Sequence, residues 1–348
     1  MTSMLIVSVR WGGVAAGISQ ANLQAACDAA ETAVTEMSYG LSSLTATVTP
    51  WSVIDTPSSL AMPPPVYDDL LAAARSHGYE PDNYDVLVMN TPAGNQPSIG
   101  RSLALMPGMF FWAVDAGQYT VEGRVNLILH EYLHTRGLDH AHTAFTTNGA
   151  GTPAQTYTQT DSEEFGMDDN PITGSQVGFP LTLSSSNVYL REYGDDYAVM
   201  GSFYGTNPSH PSAPHKFALG WLQGRMATLT NGQSAVLTPR TAQTAGNKAA
   251  VMHVTATRSY WFEYITATGT DQFLDDGGLS PGVYVHAVDP YLRNPALIDT
   301  APAGAGVNAG STPFNDAGLQ SGDSWTSPEG RTFTVSSVSA SAATVAVT

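Results

Sequence analysis

Short apolar runs and longer amphipathic segments alternate through the first third of the chain. The apolar runs predict β-strands, at residues 4–10, 44–54, 85–89, 102–106 and 109–114. Two amphipathic segments predict helices, one at residues 19–37 with Ser19 as its N-cap and one at residues 68–77 that ends at Gly78. Strands and helices that alternate in this order indicate layered α/β packing.

A third helix is predicted at residues 121–136, where apolar residues recur at helical spacing and Gly137 marks the end. Residues 143–187 are rich in Thr, Ser, Asn, Gly and Pro, and they predict a long loop region with little regular structure. Loops of this length inside a compact domain usually serve a function. A short helix is predicted near residues 214–220.

The character of the chain changes after about residue 224. Short alternating runs separated by turn residues predict β-strands, at residues 234–237, 249–254, 260–265, 283–288, 331–338 and 343–347. The whole pattern predicts an α+β protein with two domains. Residues 1–224 form the first, and residues 225–348 form a smaller, all-β, sandwich-like second domain.

Composition narrows the functional classes. Of the 348 residues, 42% are hydrophobic, which is enough for a buried core, and 12% are charged against about 25% in an average soluble protein. The net charge of -17 opposes binding to nucleic-acid phosphates and to anionic lipid head groups. No segment is apolar for long enough to span a bilayer, and residues 1–10 lack the pattern of a secretory signal. Because such lysine-poor surfaces are common in secreted proteins, we expect an extracellular location.

The single cysteine, Cys27, lies within the first predicted helix. One cysteine cannot form a disulfide within the chain, and the sequence indicates no base or cleft beside it. We therefore expect Cys27 to be a small buried core residue.

Candidate metal ligands cluster at the end of the third predicted helix. His130 and His134 are four residues apart, which places both imidazoles on one helix face. Gly137 lets the chain leave the helix with a positive φ, and His140 can then return as a third ligand. Three imidazoles suit zinc, which leaves a coordination position open for water at catalytic sites. Glu131, adjacent to the first ligand, stands where the general base of such a motif is required.

Other residues offer alternative sites. His142 could replace His140 as the third ligand, although the spacing favours His140. His215 is interpreted as a structural residue. The acidic stretch at residues 161–170 could bind calcium through oxygen ligands, but its spacing does not match a calcium loop, and a solvated acidic loop is the preferred interpretation.

The residues from His130 to His140 resemble the long zinc signature of the metzincins, His-Glu-x-x-His-x-x-Gly-x-x-His. Within that clan the chain is similar to the gametolysin-like group and to immune-inhibitor-A-like metallopeptidases. The segments that carry this similarity are residues 195–201, 213–221, 282–286 and 299–302. The resemblance implies a catalytic domain with a twisted mixed sheet, an active-site helix and a tight Met-turn. Met200 is then the methionine that packs beneath the metal without binding it.

The resemblance also implies a function, that of a zinc-dependent endopeptidase acting as a monomer on protein or peptide. Glu131 would take a proton from water and pass it to the leaving amine. Some metzincins use a tyrosine two residues after the methionine as a further ligand, and here Ser202 occupies that position. The predicted strand at 102–106 or that at 109–114 would form the edge that binds an extended substrate.

Two rival functions stay open at this point. One is a catalytically inactive module that binds metal or serves adhesion, although such a module has no chemical need for the carboxylate of Glu131. The other is a zinc amidase that acts on cell-wall peptide. The C-terminal β domain is expected to brace the catalytic domain, because no row of exposed aromatic residues stands out in it.

Overall fold

The structure is a computed structural model. It describes residues 1–54, 64–92, 103–104, 110–115, 121–146, 172–173, 187–191, 194–201, 209–275, 281–289, 294–298, 300, 317–327 and 329–348. These residues fall into two compact units, of which the first ends at Asp139 and the second begins at His140.

The first unit is a mixed sheet with helices. Its strands are β1 (Thr2–Trp11), β2 (Leu44–Val48), β3 (Ser52–Ile54), β4 (Val86–Pro92), β5 (Leu103–Ala104) and β6 (Phe110–Asp115). Its helices are α1 (Gln20–Met37), α2 (Pro64–Ser76) and α3 (Val121–Thr135), with a 3-10 turn at Pro81–Asn83. The sheet runs in the order β2-β1-β4-β6-β5, and β3 also pairs with β1. The pairings are parallel except that β5 is antiparallel to β6, so an antiparallel strand ends the described sheet.

Strand β1 is covered on both faces, which explains its nearly continuous apolar sequence. Leu5 and Val7 pack in one core with Leu70 of α2. Successive side chains point to opposite faces of a strand, so Thr2 lies on the other face, where its Oγ1 accepts a hydrogen bond from the Tyr132 hydroxyl of α3 at 3.4 Å. Helix α3, which carries two of the candidate ligands, is therefore in contact with a largely buried strand.

The second unit is mainly β. Its strands are β7 (His142–Thr146), β8 (Ile172–Thr173), β9 (Asn187–Arg191), β10 (Met226–Thr228), β11 (Ser234–Leu237), β12 (Ala249–His253), β13 (Ser259–Ile265), β14 (Gly282–Val288), β15 (Ala296–Ile298), β16 (Ser324–Thr326), β17 (Thr332–Ser339) and β18 (Ala342–Val347). Helix α4 (Ala213–Ala218) and a 3-10 segment (Gly269–Asp275) also lie in the described part of this unit. One sheet runs β10-β12-β13-β14-β15-β7-β9-β8 and the other β11-β18-β17-β16.

These two sheets share one buried core, as the predicted sandwich requires. Phe262 of β13 and Val285 of β14 lie in the same cluster as Phe333 of β17 and Val345 of β18. The inward residues alternate along each strand, which is the pattern that the sequence showed.

The division of the chain differs from the predicted boundary between residues 224 and 225. Strand β15 pairs in parallel with β7. Strands of the C-terminal part therefore lie in the same sheet as β7, β8 and β9. The compact units therefore separate between Asp139 and His140. Within residues 143–187 the structure describes part of β7, β8 and the first residue of β9, and the remainder of the range lies outside the described residues.

The α+β content and most of the predicted elements are confirmed, with boundaries shifted by one or two residues in most cases. The Ser19 side chain caps α1 by accepting the amide of Asn22 at 3.2 Å. Cys27 is fully buried, and burial raises the pKa of its thiol, as expected for a core residue. Among the described residues, no helix combines the length and the apolar character needed to cross a bilayer.

Candidate metal centre

Helix α3 brings His130 and His134 together. Its apolar residues Leu129 and Leu133 are completely buried, which fixes the rotation of the helix, and both histidines are buried as well. The two Nε2 atoms lie 3.0 Å apart, and the ring planes are inclined at 85°. The spacing of four residues therefore has the consequence that the sequence predicted, namely two imidazoles directed at one point.

The end of α3 fixes the tautomer of His134. Gly137 has a φ of 88°. Its amide donates to the His134 carbonyl at 2.9 Å, while the amide of Leu138 donates to the Leu133 carbonyl at 3.2 Å, which together form a Schellman ending. The reversed chain places the Leu138 carbonyl oxygen 2.7 Å from His134 Nδ1. A carbonyl oxygen only accepts hydrogen bonds, so Nδ1 carries the proton, and neutral His134 keeps the Nε2 lone pair for a metal.

His140 completes the cluster. Ligand nitrogens of His130, His134 and His140 all lie within 4.8 Å of one another. His142 is buried outside this group, and its Nε2 lies 3.3 Å from the side-chain amide nitrogen of Asn294. The geometry therefore groups His140, and not His142, with His130 and His134. His215 is also buried outside the cluster, with its Nδ1 3.3 Å from the Ser212 hydroxyl.

The donor set fits a metal ion. Two imidazole nitrogens bound at about 2.0–2.1 Å to a tetrahedral ion are about 3.3 Å apart, and the observed separation of 3.0 Å between His130 and His134 is within a few tenths of that value. All three donors are nitrogens, and two of them are buried. A metal site at these residues is therefore compatible with the structure, and imidazole ligands suit zinc, copper, iron and nickel.

Glu131 directly follows the candidate ligand His130 in the sequence and is 4% exposed. Its Oε2 atom accepts no hydrogen bond from any residue that the structure describes. Burial raises the pKa of this carboxyl to about 8. A buried carboxylate oxygen without a donor is unfavourable in a purely structural role, and a neighbouring cation would relieve the cost by favouring the charged form.

Met200 lies in a tight turn, where it is completely buried. The Ala198 amide donates to the Asp195 carbonyl at 3.2 Å, and the Gly201 amide donates to the Ala198 carbonyl at 2.8 Å. A side chain at Gly201 is impossible here, because a Cβ would stand 1.8 Å from the Asp195 carbonyl oxygen. The Met200 carbonyl accepts a hydrogen bond from Ala141, the residue after His140.

Sequence reasoning missed a buried polar network in the second unit. It includes side chains that are at most 1% exposed, among them Asp195, Arg240, Glu263, Asp271 and His286. Two of them, Asp195 and His286, lie in segments on which the proposed sequence resemblance was based, and this was the available signal. Nothing local to Arg240 indicated that it is buried.

The acidic stretch considered for calcium, residues 161–170, lies outside the described residues.

The structure distinguishes the two candidate substrate edges. The one at 109–114 corresponds to β6, which lies between β4 and β5. The other, at 102–106, contains β5 at the end of the described sheet. Of the two strands, β5 therefore remains the candidate edge.

In comparisons with known proteins, no protein-family model matches the chain. A search of curated proteins finds no significant match either.

Proposed function

We propose that the chain is a zinc-dependent endopeptidase, with His130, His134 and His140 as metal ligands and Glu131 as general base. One observation carries this proposal: the ligand nitrogens of the three imidazoles lie within 4.8 Å of one another. A mixed sheet ended by an antiparallel strand, a buried helix bearing two of the ligands and a tight turn with a buried methionine support the metzincin-like interpretation.

The chemistry requires a polarised carbonyl and a proton carrier. Bound zinc would act as a Lewis acid on the scissile carbonyl and would lower the pKa of bound water. Glu131 would take a proton on Oε2 and deliver it to the nitrogen of the leaving amine. Burial favours the neutral form of this carboxyl, whereas bound zinc would favour the carboxylate, which is the form that can accept the proton. His134, held by the Leu138 carbonyl, keeps its lone pair directed away from that carbonyl.

Strand β5 gives the proposal a substrate class. It pairs antiparallel with β6 through Leu103 and Ala104, and it ends the described sheet. The outward backbone groups of an edge strand bind an extended peptide by strand addition. An extended peptide segment, rather than a compact amide, is therefore the proposed substrate.

The test is cleavage of a diverse peptide mixture, read by mass spectrometry, with the wild-type chain beside Glu131→Gln. Glutamine keeps the size of the side chain but cannot carry the proton. We expect internal cleavage by the wild type, a loss of about 100-fold or more in the variant, and equal zinc content in both proteins.

Other outcomes separate the rival functions. Zinc-loaded wild type that cuts no peptide but releases amides from cell-wall peptide would favour the amidase. Zinc-loaded wild type without either activity would favour the inactive binding module. A wild type that binds no zinc would overturn the proposal.

A further inference from the structure

Arg240 lies at the centre of the buried network in the second unit. Its side chain is 1% exposed. Nε donates to Asp271 Oδ2 at 2.6 Å and Nη2 donates to Asp271 Oδ1 at 3.0 Å, while Nη1 lies 3.5 Å from Glu263 Oε2. Burial alone would lower the pKa of Arg240, but Asp271 and Glu263 raise it, so the guanidinium stays charged. The planar guanidinium group of Arg240 is thus fixed in one orientation.

The guanidinium group of Arg240 binds the turn that contains Met200. Nη2 of Arg240 also donates to the backbone carbonyl of Tyr197 at 2.5 Å. On the other side of the network, His286 Nε2 lies 2.8 Å from Asp195 Oδ2. Oδ1 of Asp195 accepts the amide of Tyr197 at 3.1 Å. Tyr197 is therefore held by its carbonyl and by its amide, through two different buried charges.

Asp271 also connects the network to the last part of the turn. Its Oδ1 accepts the amide of His210 at 3.3 Å, and the His210 carbonyl accepts the amide of Val199 at 3.3 Å. Met200 follows Val199, and its carbonyl accepts the amide of Ala141 at 2.7 Å. Hydrogen bonds joined by short stretches of backbone therefore connect the buried charges to the backbone beside His140.

We propose that Arg240 and His286 are positioning residues for the metal centre, because they fix the turn whose Met200 carbonyl holds Ala141 next to His140. This inference rests on the proposed function only in that it takes His140 to be a metal ligand. Buried ion pairs often add little net stability over apolar packing of the same volume. Here the buried ion pairs instead hold the backbone next to His140 in one arrangement.

The experiment compares Arg240→Lys with Arg258→Lys in the full-length chain. Arg258 is a matched control, since it is also a buried guanidinium with two carboxylate partners, Asp289 at 2.9 Å and Glu329 at 2.5 Å. Lysine keeps the charge at either position but cannot form the planar fork. Two quantities are measured, the dissociation constant for zinc and the exchange rate of the Ala141 amide, with the visible spectrum of the cobalt-loaded protein as a record of coordination geometry.

We expect Arg240→Lys to weaken zinc binding by about 10- to 100-fold, to change the cobalt spectrum and to speed exchange at Ala141 by about tenfold or more. Arg258→Lys should lower the unfolding temperature. It should leave the dissociation constant for zinc and the exchange rate at Ala141 within about twofold and the cobalt spectrum unchanged. Equal zinc affinity and equal exchange in the two variants would overturn the inference. If the wild type binds no zinc, the proposed function fails, while the exchange of Ala141 still decides whether Arg240 positions this backbone.

A second pair of variants decides the matter if Arg240→Lys does not fold. His286→Gln keeps an N–H donor for Asp195, whereas His286→Leu removes it. We expect the glutamine variant to retain zinc affinity within about threefold and the leucine variant to lose tenfold or more. The inference would be wrong if both variants bound zinc equally well.

Discussion

The backbone amide of Ala141 donates a hydrogen bond to the carbonyl oxygen of Met200 across 2.7 Å. The Ala141 carbonyl in turn accepts the amide of Asp195 at 3.4 Å, so Ala141 is bound to both ends of the Met200 turn. Because Ala141 follows His140 directly, a change in this turn is transmitted to the third candidate ligand through a single peptide bond.

Replacing His140 with alanine should abolish tight metal binding. Loss of one of three ligands removes on the order of 3 kcal/mol of binding free energy, or about 100-fold in affinity. His142→Ala is the matched control, because His142 is buried two residues away but lies outside the cluster. Zinc content after dialysis should fall for His140→Ala and stay at the wild-type value for His142→Ala. The reverse result would exchange the roles of the two histidines.

Gly201→Ala should destabilise the protein severely. The new Cβ would stand 1.8 Å from the Asp195 carbonyl oxygen, so the turn must open to admit it. We expect a loss of about 3 kcal/mol or more in the free energy of unfolding, measured with urea. Gly12→Ala is the control, since nothing lies within 4 Å of a Cβ there, and it should change stability by less than about 1 kcal/mol. Similar stabilities for the two variants would contradict the observed geometry.

The part of the stability that protonated His286 contributes should be lost as the pH rises above about 6.5. Burial by itself would lower the pKa of this imidazole, but Asp195 and Glu263 raise it above the usual 6.5. A raised folded-state pKa means that the folded protein binds the proton more tightly, so this contribution is complete below the unfolded-state pKa and is lost as the pH passes the folded-state pKa. The stability of the wild type relative to His286→Gln, measured by urea unfolding between pH 6 and pH 9, should decline as the pH rises. Parallel curves would rule out His286 as the source.

Proline at one of the two positions of strand β5 should lower peptidase activity with little effect on stability. The amides of adjacent residues in a strand point to opposite sides, so of Leu103 and Ala104 one faces β6 and the other faces away from it. One of the two proline variants should therefore lose about tenfold in kcat/KM at an unchanged unfolding temperature, through a higher KM. The other should lower the unfolding temperature, because it removes a hydrogen bond of the sheet. Full activity in both variants would exclude β5 as the substrate edge.

The sequence by itself determined the local structure and the ligand pattern. Apolar spacing predicted α1, α3 and the strands of the sandwich, because helix and strand periodicity depends on near neighbours in the chain. The spacing of His130, His134 and Gly137 predicted the paired imidazoles and the reversal after the helix, since one turn of helix and one Schellman ending fix both.

Only the tertiary structure decided how the chain divides into compact units and which residues surround Arg240. The pairing of β15 with β7 moved the division of the chain from residue 224 to Asp139, and no local pattern specifies which distant strand completes a sheet. The same holds for Arg240, whose carboxylate partners Glu263 and Asp271 lie far along the chain. A buried charge is tolerated only where folding brings its partners within hydrogen-bond distance, so its role is fixed by contacts that the order of residues does not reveal.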